Sequence, residues 1–264
     1  MNLNALTEHV RTAVHGVGSF IRVEAQGFTP DKIEYKGLND LVSYVDKTAE
    51  EMLVEKLSGI LPEAGFITEE ATIRKTGPEF NWIIDPLDGT TNFIHGIPTF
   101  AISIALQRGE DLVSGVVYEI NRDEMFYAWA GGGAYLTGKP IRVSGATDIS
   151  STLLATGFPY YDFERQEQYL QAFSELMRSC HGLRRIGSAA VDLAYVAAGR
   201  FDGFFEYNLN AWDVAAGALI VQEAGGKVLD FNGETGFISR RELIAGTPEI
   251  AGQLCRILNR HFNK

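Results

Sequence analysis

Residues 82–93 read Trp82-Ile83-Ile84-Asp85-Pro86-Leu87-Asp88-Gly89-Thr90-Thr91-Asn92-Phe93. An apolar run leads straight into Asp85, so the stretch reads as a buried strand that delivers a carboxylate at its C-terminal end. Open α/β sheets place their ligands at that end. Pro86 fixes φ and keeps the chain from continuing as a ladder donor. Asp88 follows after a sharp turn and can point back toward Asp85, with Gly89 giving the freedom to turn. Thr90 and Thr91 then begin a short helix whose free N–H groups face the same spot. Two carboxylates, the Leu87 carbonyl and a hydroxyl within six residues make a hard-oxygen environment of the kind Mg²⁺ prefers, and the helix start offers N–H donors to a phosphate. An isolated Asp-Gly would be read as a turn. The whole string asks for more than that.

Outward from this stretch the chain alternates two periods. Leu6, Val10, Ala13, Val14, Val17 and Ile21 recur at helical spacing, and a second helix is expected from about Asp40, ending at Pro62 and Gly65. Short apolar runs then predict strands at Gly65–Ile67, Trp82–Ile84, Phe100–Leu106, Leu112–Tyr118 and Met125–Trp129. In the second half, strands are expected at Leu153–Thr156, Asp202–Glu206 and Lys227–Asp230. Helices are expected at Glu164–Arg178, Ser188–Ala198, Trp212–Ala224 and Thr247–His261. Gly131-Gly132-Gly133 follows a strand but opens no helix, so it reads as a hairpin turn rather than a phosphate loop. No Pro/Ser-rich linker and no repeat divides the chain. One unit over residues 1–264 is expected, with a soft division into 1–145 and 146–264.

The 264 residues carry 23 Lys+Arg against 34 Asp+Glu, a net charge of −11. That excess argues against a broad basic face for nucleic acid, and no nucleic-acid partner is expected. It leaves a phosphate-bearing ligand open, provided helix N-termini, a few basic side chains or cations help locally. No apolar run approaches the ~18 residues of a membrane span, and no secretory signal is visible at Met1 to Arg11. Cys180 and Cys255 and the five histidines show no metal-ligand spacing, so the two thiols read as reduced and packed in a cytoplasmic protein.

Two more acidic elements stand out. Thr68-Glu69-Glu70 directly follows a buried-looking strand and could converge on the strand-end region. Asp213, in Asn210-Ala211-Trp212-Asp213, opens a helix of small apolar residues, where capping alone would explain it.

Together these strings resemble the inositol monophosphatase family, among the Mg²⁺-dependent, lithium-sensitive sugar phosphatases. The aspartate signature is matched by Trp82 to Phe93. The C-terminal signature is matched by Trp212-Asp213-Val214-Ala215-Ala216-Gly217 through Glu223-Ala224-Gly225-Gly226. The Glu69-Glu70 pair, Lys36 ahead of Asp40-Leu41-Val42, and Gly187-Ser188-Ala189-Ala190 fit as well. The resemblance spans nearly the whole chain. It implies an αβαβα sandwich of two sheets and helix layers, two or three Mg²⁺ per site, inhibition by Li⁺, and a homodimer. By the same resemblance, Glu69, Asp85, the Leu87 carbonyl and Thr90 would surround the first Mg²⁺ and its nucleophilic water. Asp85, Asp88 and Asp213 would hold the second. Gly89, Thr90 and Thr91 would grip the phosphate through their N–H groups. Gly187, Ser188, Ala189 and Glu206, together with Asp88 and Asp213, would meet the substrate, with Arg184 the basic residue nearby. Glu70 is a candidate support for the water or a further ion, and Lys36 and Asp46 match positions at the site entrance.

The expected activity is hydrolysis of an inositol monophosphate or similar polyol phosphate by a metal-activated water. Fructose bisphosphate, phosphoadenosine phosphate and histidinol phosphate are alternative substrates within the superfamily. Thr91 stands where relatives acting on the latter two tend to carry Lys. Thr68 and Ser188 replace the family's common Gly and Thr. A non-catalytic regulatory or interaction protein on the same fold is the reading from another class.

Overall fold

Long amphipathic stripes and short apolar runs can be buried together only in layers, and that is how the chain is built. The computed structural model describes residues 1–29, 33–37, 40–159 and 163–263, with the backbone alone at 33–37 and 40–42. Helix α1 (Leu3–Gln26) is followed by strands β1 (Ile33–Gly37) and β2 (Asp40–Ser43), helix α2 (Tyr44–Ile60), and strands β3 (Gly65–Thr68) and β4 (Phe80–Asp88). Next come α3 (Thr90–Ile94), β5 (Ala101–Arg108), β6 (Asp111–Glu119), β7 (Glu124–Trp129), β8 (Ala134–Leu136) and β9 (Lys139–Ile141). The second half runs β10 (Leu153–Thr156), α4 (Gln166–Ser179), β11 (Gly182–Arg184), α5 (Ala189–Ala197), β12 (Gly203–Tyr207) and α6 (Ala211–Glu223). It closes with β13 (Lys227–Leu229), α7 (Phe237–Arg240), β14 (Glu242–Gly246) and α8 (Pro248–Phe262).

Among the described residues the strands form a seven-stranded sheet in sequence order from β3 to β9 and a five-stranded sheet ordered β11-β10-β12-β14-β13. Among the described residues strands β1 and β2 pair only with each other. In the larger sheet β3 and β4 are parallel and the rest antiparallel, whereas β10 runs parallel to both β11 and β12. Helices α1 and α2 bury Val10, Val14, Val17, Ile21, Leu53 and Leu57 against one face of the larger sheet. Helices α5 and α6 fill the space between the two sheets, and α4 and α8 cover the outer face of the smaller one. The order of layers is therefore αβαβα, as the resemblance implies.

The middle layer sets where the site falls. Helix α6 carries Ala215-Ala216-Gly217-Ala218, and a Cβ on Gly217 would lie 2.5 Å from the Cβ of Leu193 on α5. Small residues let α5 and α6 pack side by side and lie close to β4, β5 and β6, so their N-termini open beside the end of β4. The Ser103 hydroxyl donates to the Trp212 carbonyl at 3.1 Å and ties the α6 start to β5.

Three expectations need correction. The second helix begins at Tyr44, not near Asp40, because Ser43 caps it: the Asp46 carboxylate accepts the Ser43 N–H at 2.9 Å, and Ser43 Oγ accepts the Val45 N–H at 3.1 Å. Residues 40–43 are strand. Pro86 does not end β4. The missing donor is absorbed by a bulge, and the ladder resumes with Asp88 opposite Ala101. Strands β8, β9, β11 and β14 were not visible as periodic runs. Gly131-Gly132-Gly133 is a turn between β7 and β8, as expected. Among the described residues no helix is long and apolar enough to cross a membrane.

Candidate active site

Six elements converge on one cavity. Strand β3 delivers Glu69, whose N–H continues the ladder to the Ile84 carbonyl at 3.3 Å. The bulge in β4 turns Asp85, the Leu87 carbonyl and Asp88 inward, with Asp85 Oδ1 accepting the Leu87 N–H at 2.9 Å. Helix α3 starts at the same point. Its cap, Gly89, has φ 98°, and a Cβ there would stand 3.1 Å from the Thr99 carbonyl oxygen and 3.2 Å from that of Gly187. Only glycine suits both the left-handed turn and the close approach. From the other half, α5 brings Ser188 and Ala189, α6 brings Asp213, and β12 brings Glu206. The cavity lining includes Glu69, Asp85, Leu87, Asp88, Gly89, Thr90, Thr91, Gly187, Ser188, Ala189, Glu206 and Asp213. Each was expected at the site from the sequence.

The two halves are stitched together at this point. Asp88 does not simply face Asp85: its Oδ2 accepts the Ser188 hydroxyl at 2.6 Å and the Ala190 N–H at 2.7 Å across the cleft. Asn92 donates to the carbonyls of Thr99 and Ile186, both at 2.8 Å. Asp213 is the third residue of α6 rather than its cap, and it accepts the Asn210 N–H at 2.6 Å. It therefore closes the helix end and presents its charge to the cavity.

The electrostatics are those of crowded acids. Burial, then the charges of Asp213, Glu70 and Asp46, hold the Glu69 carboxyl well above its ordinary range. Burial, then Glu69, Asp88 and Asp213, do the same to Asp85. Glu69 and Asp85 interact directly, so the two carboxylates crowd the same corner of the cavity. Asp88 is pushed up to about 6 by burial, against the pull of Ser188, the Ala190 and Ala189 N–H groups and Arg185. Asp213 is pushed up to about 7 by burial and by the Asp88 charge. Among the described residues no three His, Cys, Asp and Glu side chains stand ready-made around a metal position. The donor chemistry nonetheless fits a hard divalent cation. Glu69, Asp85, Asp88, Asp213 and the buried Leu87 carbonyl line one cavity, a concentration of oxygen donors and negative charge that a cation would offset.

Two expected residues lie elsewhere, and three that matter to the cavity were missed. Asp46, expected at the entrance, is buried at 1% exposure behind Thr90, whose hydroxyl lies 2.8 Å from Asp46 Oδ1 and 3.0 Å from the Leu87 carbonyl. Arg184 is exposed, with Nη1 on the neighbouring Leu183 carbonyl, and the arginine lining the cavity is Arg185. An Arg-Arg pair does not show from sequence which member turns inward. Asp192, one turn beyond Ser188, also lines the cavity at 1% exposure. Burial, then the charges of Glu206 and Asp88, hold it well above its ordinary range. An acid on the apolar face of the Ser188–Ala198 helix was the available signal. Gly157 completes the Glu206 side, since a Cβ there would lie 2.0 Å from the Glu206 carboxylate oxygens. Glu70 is half-buried beside Glu69, and its N–H is engaged by Glu50 at 2.8 Å. Lys36 falls in β1, and its side chain lies outside the described residues.

Comparison with known proteins agrees with this fold. The model of the inositol monophosphatase family matches residues 2–262. The chain is 46% identical to the Nus factor SuhB of Escherichia coli over 84% of each chain. It is 41% identical to the inositol-1-monophosphatase of Mesorhizobium japonicum over 87% of this chain and 86% of that one. Its fold superimposes on the extragenic suppressor protein suhB of Bartonella henselae with a TM-score of 0.91, at 40% identity and covering 97% and 99% of the two chains. The chain belongs to the inositol monophosphatase family.

Proposed function

We propose that the protein is a Mg²⁺-dependent phosphomonoesterase acting on inositol monophosphate or a similar polyol phosphate. The observation that carries this reading is the convergence of Glu69, Asp85, Asp88 and Asp213 on a cavity that also receives the N-terminus of α3. Glu69, Asp85, the Leu87 carbonyl, Asp88 and Asp213 would hold the cations. Bound there, Mg²⁺ supplies charge neutralisation on the phosphate and lowers the pKa of water. The chain's own groups do the rest. The N–H groups of Gly89, Thr90 and Thr91 hold the phosphate oxygens. Thr90 Oγ donates toward Asp46 and keeps its lone pairs for a water proton, which passes through the hydroxyl to Asp46 Oδ1, while Glu69 orients the same water. On the leaving-group side, Glu206 and the backbone from Gly187 to Ala189 receive the polyol hydroxyls and penalise a substrate that leaves them unpaired.

The name of the 46%-identical relative favours a second reading, a regulatory role exercised through a partner without turnover. Phosphate release from inositol phosphates, fructose bisphosphate, histidinol phosphate and phosphoadenosine phosphate, each with and without Mg²⁺, separates the two. Release from an inositol phosphate at the highest kcat/KM is the expected result. No release from any of them leaves the interaction role standing.

A further inference from the structure

Helix α2 carries a second buried acid, Glu50, one turn after Asp46 and 0% exposed. Its carboxylate points away from the cavity into the segment that follows Glu69. Oε2 accepts the Glu70 N–H at 2.8 Å. Oε1 accepts the Thr72 N–H at 2.8 Å and the Thr72 hydroxyl at 2.7 Å. Between those two residues Ala71 has φ 53°, a left-handed conformation that a residue with a Cβ keeps only when its surroundings impose it. Glu69 is therefore fixed on two sides, by its own N–H on the Ile84 carbonyl and by the clamped Glu70 N–H immediately after it.

From this geometry we infer that Glu50 is a positioning residue for the cation site: it sets the location of the Glu69 carboxylate by holding the 70–72 turn closed. The inference rests on the functional reading above. A carboxylate is suited to the task because one rigid group answers three donors, two of them backbone N–H groups. An amide in its place presents an NH₂ to N–H donors, so one end of the clamp opens. Supporting groups of this kind typically change metal affinity by about 10- to 100-fold when removed.

The test uses the full chain and Mg²⁺ alone as probe. The rise in thermal transition with Mg²⁺ concentration gives a binding midpoint without reference to turnover. Hydrogen exchange of the Glu70 and Thr72 amides in the metal-free protein reports the clamp. E50Q is expected to raise the Mg²⁺ midpoint by about tenfold or more and to speed exchange at both amides. T72V, which removes only the hydroxyl bond, is expected to move both in the same direction by less. E223Q, at the far end of α6, serves as control: it lowers the transition and leaves the midpoint in place. An E50Q midpoint within about twofold of the parent, alongside faster amide exchange, overturns the inference and leaves Glu50 a purely structural acid. Should E50Q fail to fold, an unmoved midpoint in T72V overturns it equally. If Mg²⁺ produces no shift in the unaltered protein, the reading of the cation site falls, and the inference with it.

Discussion

Helix α6 has a carboxylate at each end, and the two are treated in opposite ways. At the C-terminal end Glu223 accepts the Gly131 and Gly133 N–H groups, both at 2.8 Å, and pins the turn between β7 and β8. At the N-terminal end Asp213 has one N–H partner, Asn210, and faces Asp88, so burial and repulsion push it up to about 7. One acid is answered by donors that the fold provides. The other belongs to a group of acids that the fold crowds together and does not neutralise. The same chemistry, on the same rigid element, thus marks a structural position at one end and a candidate site position at the other.

The sharpest way to break the contrast is to remove charge from the crowded end. Asp85→Asn is expected to lower phosphate release by roughly a thousandfold, a loss of the size seen when a group stabilising transition-state charge is deleted. The thermal transition of the metal-free protein should hold or rise, since one member of a repelling set has gone. A collapsed metal-free fold would make Asp85 structural and erase the distinction from Glu223.

The second effect is on stability against pH. Asp88 and Asp213 have folded-state values raised to about 6 and about 7, above their unfolded value near 4. Between those limits the folded protein binds more protons than the unfolded chain, so stability is highest at mildly acid pH and declines as pH rises through the window. The metal-free protein is expected to lose roughly 5 °C or more of its transition between about pH 5 and pH 7.5, followed by scanning calorimetry. Saturating Mg²⁺ should flatten the slope, because the cation takes over the role of the proton. A metal-free transition that climbs over this range would contradict the crowding.

The smallest effect is expected at the satisfied end. Glu223→Gln weakens two N–H contacts and should cost about 1 kcal/mol of stability by denaturant titration. Its kcat and KM should stay within about twofold of the parent, a range set by its lack of any contact with the cavity. A tenfold loss of kcat would show that the Gly131–Gly133 turn communicates with the site along α6.

What could be read in the sequence follows the same division. The stretch from Trp82 to Phe93 was legible, its bulge excepted, because strand, carboxylates and helix start are contiguous, so local geometry fixes their arrangement. Glu69 and Asp213 were legible only through their resemblance to a known pattern. Read alone, an acid after a strand or at a helix start has a simpler explanation in solvation or capping. Arg185, Asp192 and Glu50 depend on packing between distant segments: Glu50 meets Glu70 and Thr72 only because α2 lies against β4. A signal was present nonetheless. Asp46 and Glu50 fall four residues apart on the helix face that also buries Val45, Ala49, Leu53 and Leu57, and acids on an apolar stripe require partners. Strand β14 escaped notice because its five residues follow a four-residue helix and Arg241 at φ 58°, leaving no run long enough to show a period.

The most direct test of the central claim is phosphate release from inositol 1-phosphate by chelator-treated protein as Mg²⁺ is restored. Release that starts at the no-enzyme baseline and rises with Mg²⁺ to a plateau is the expected result. Release undiminished by chelation, or none at any Mg²⁺ concentration, would contradict a cation-dependent phosphatase at the crowded acids.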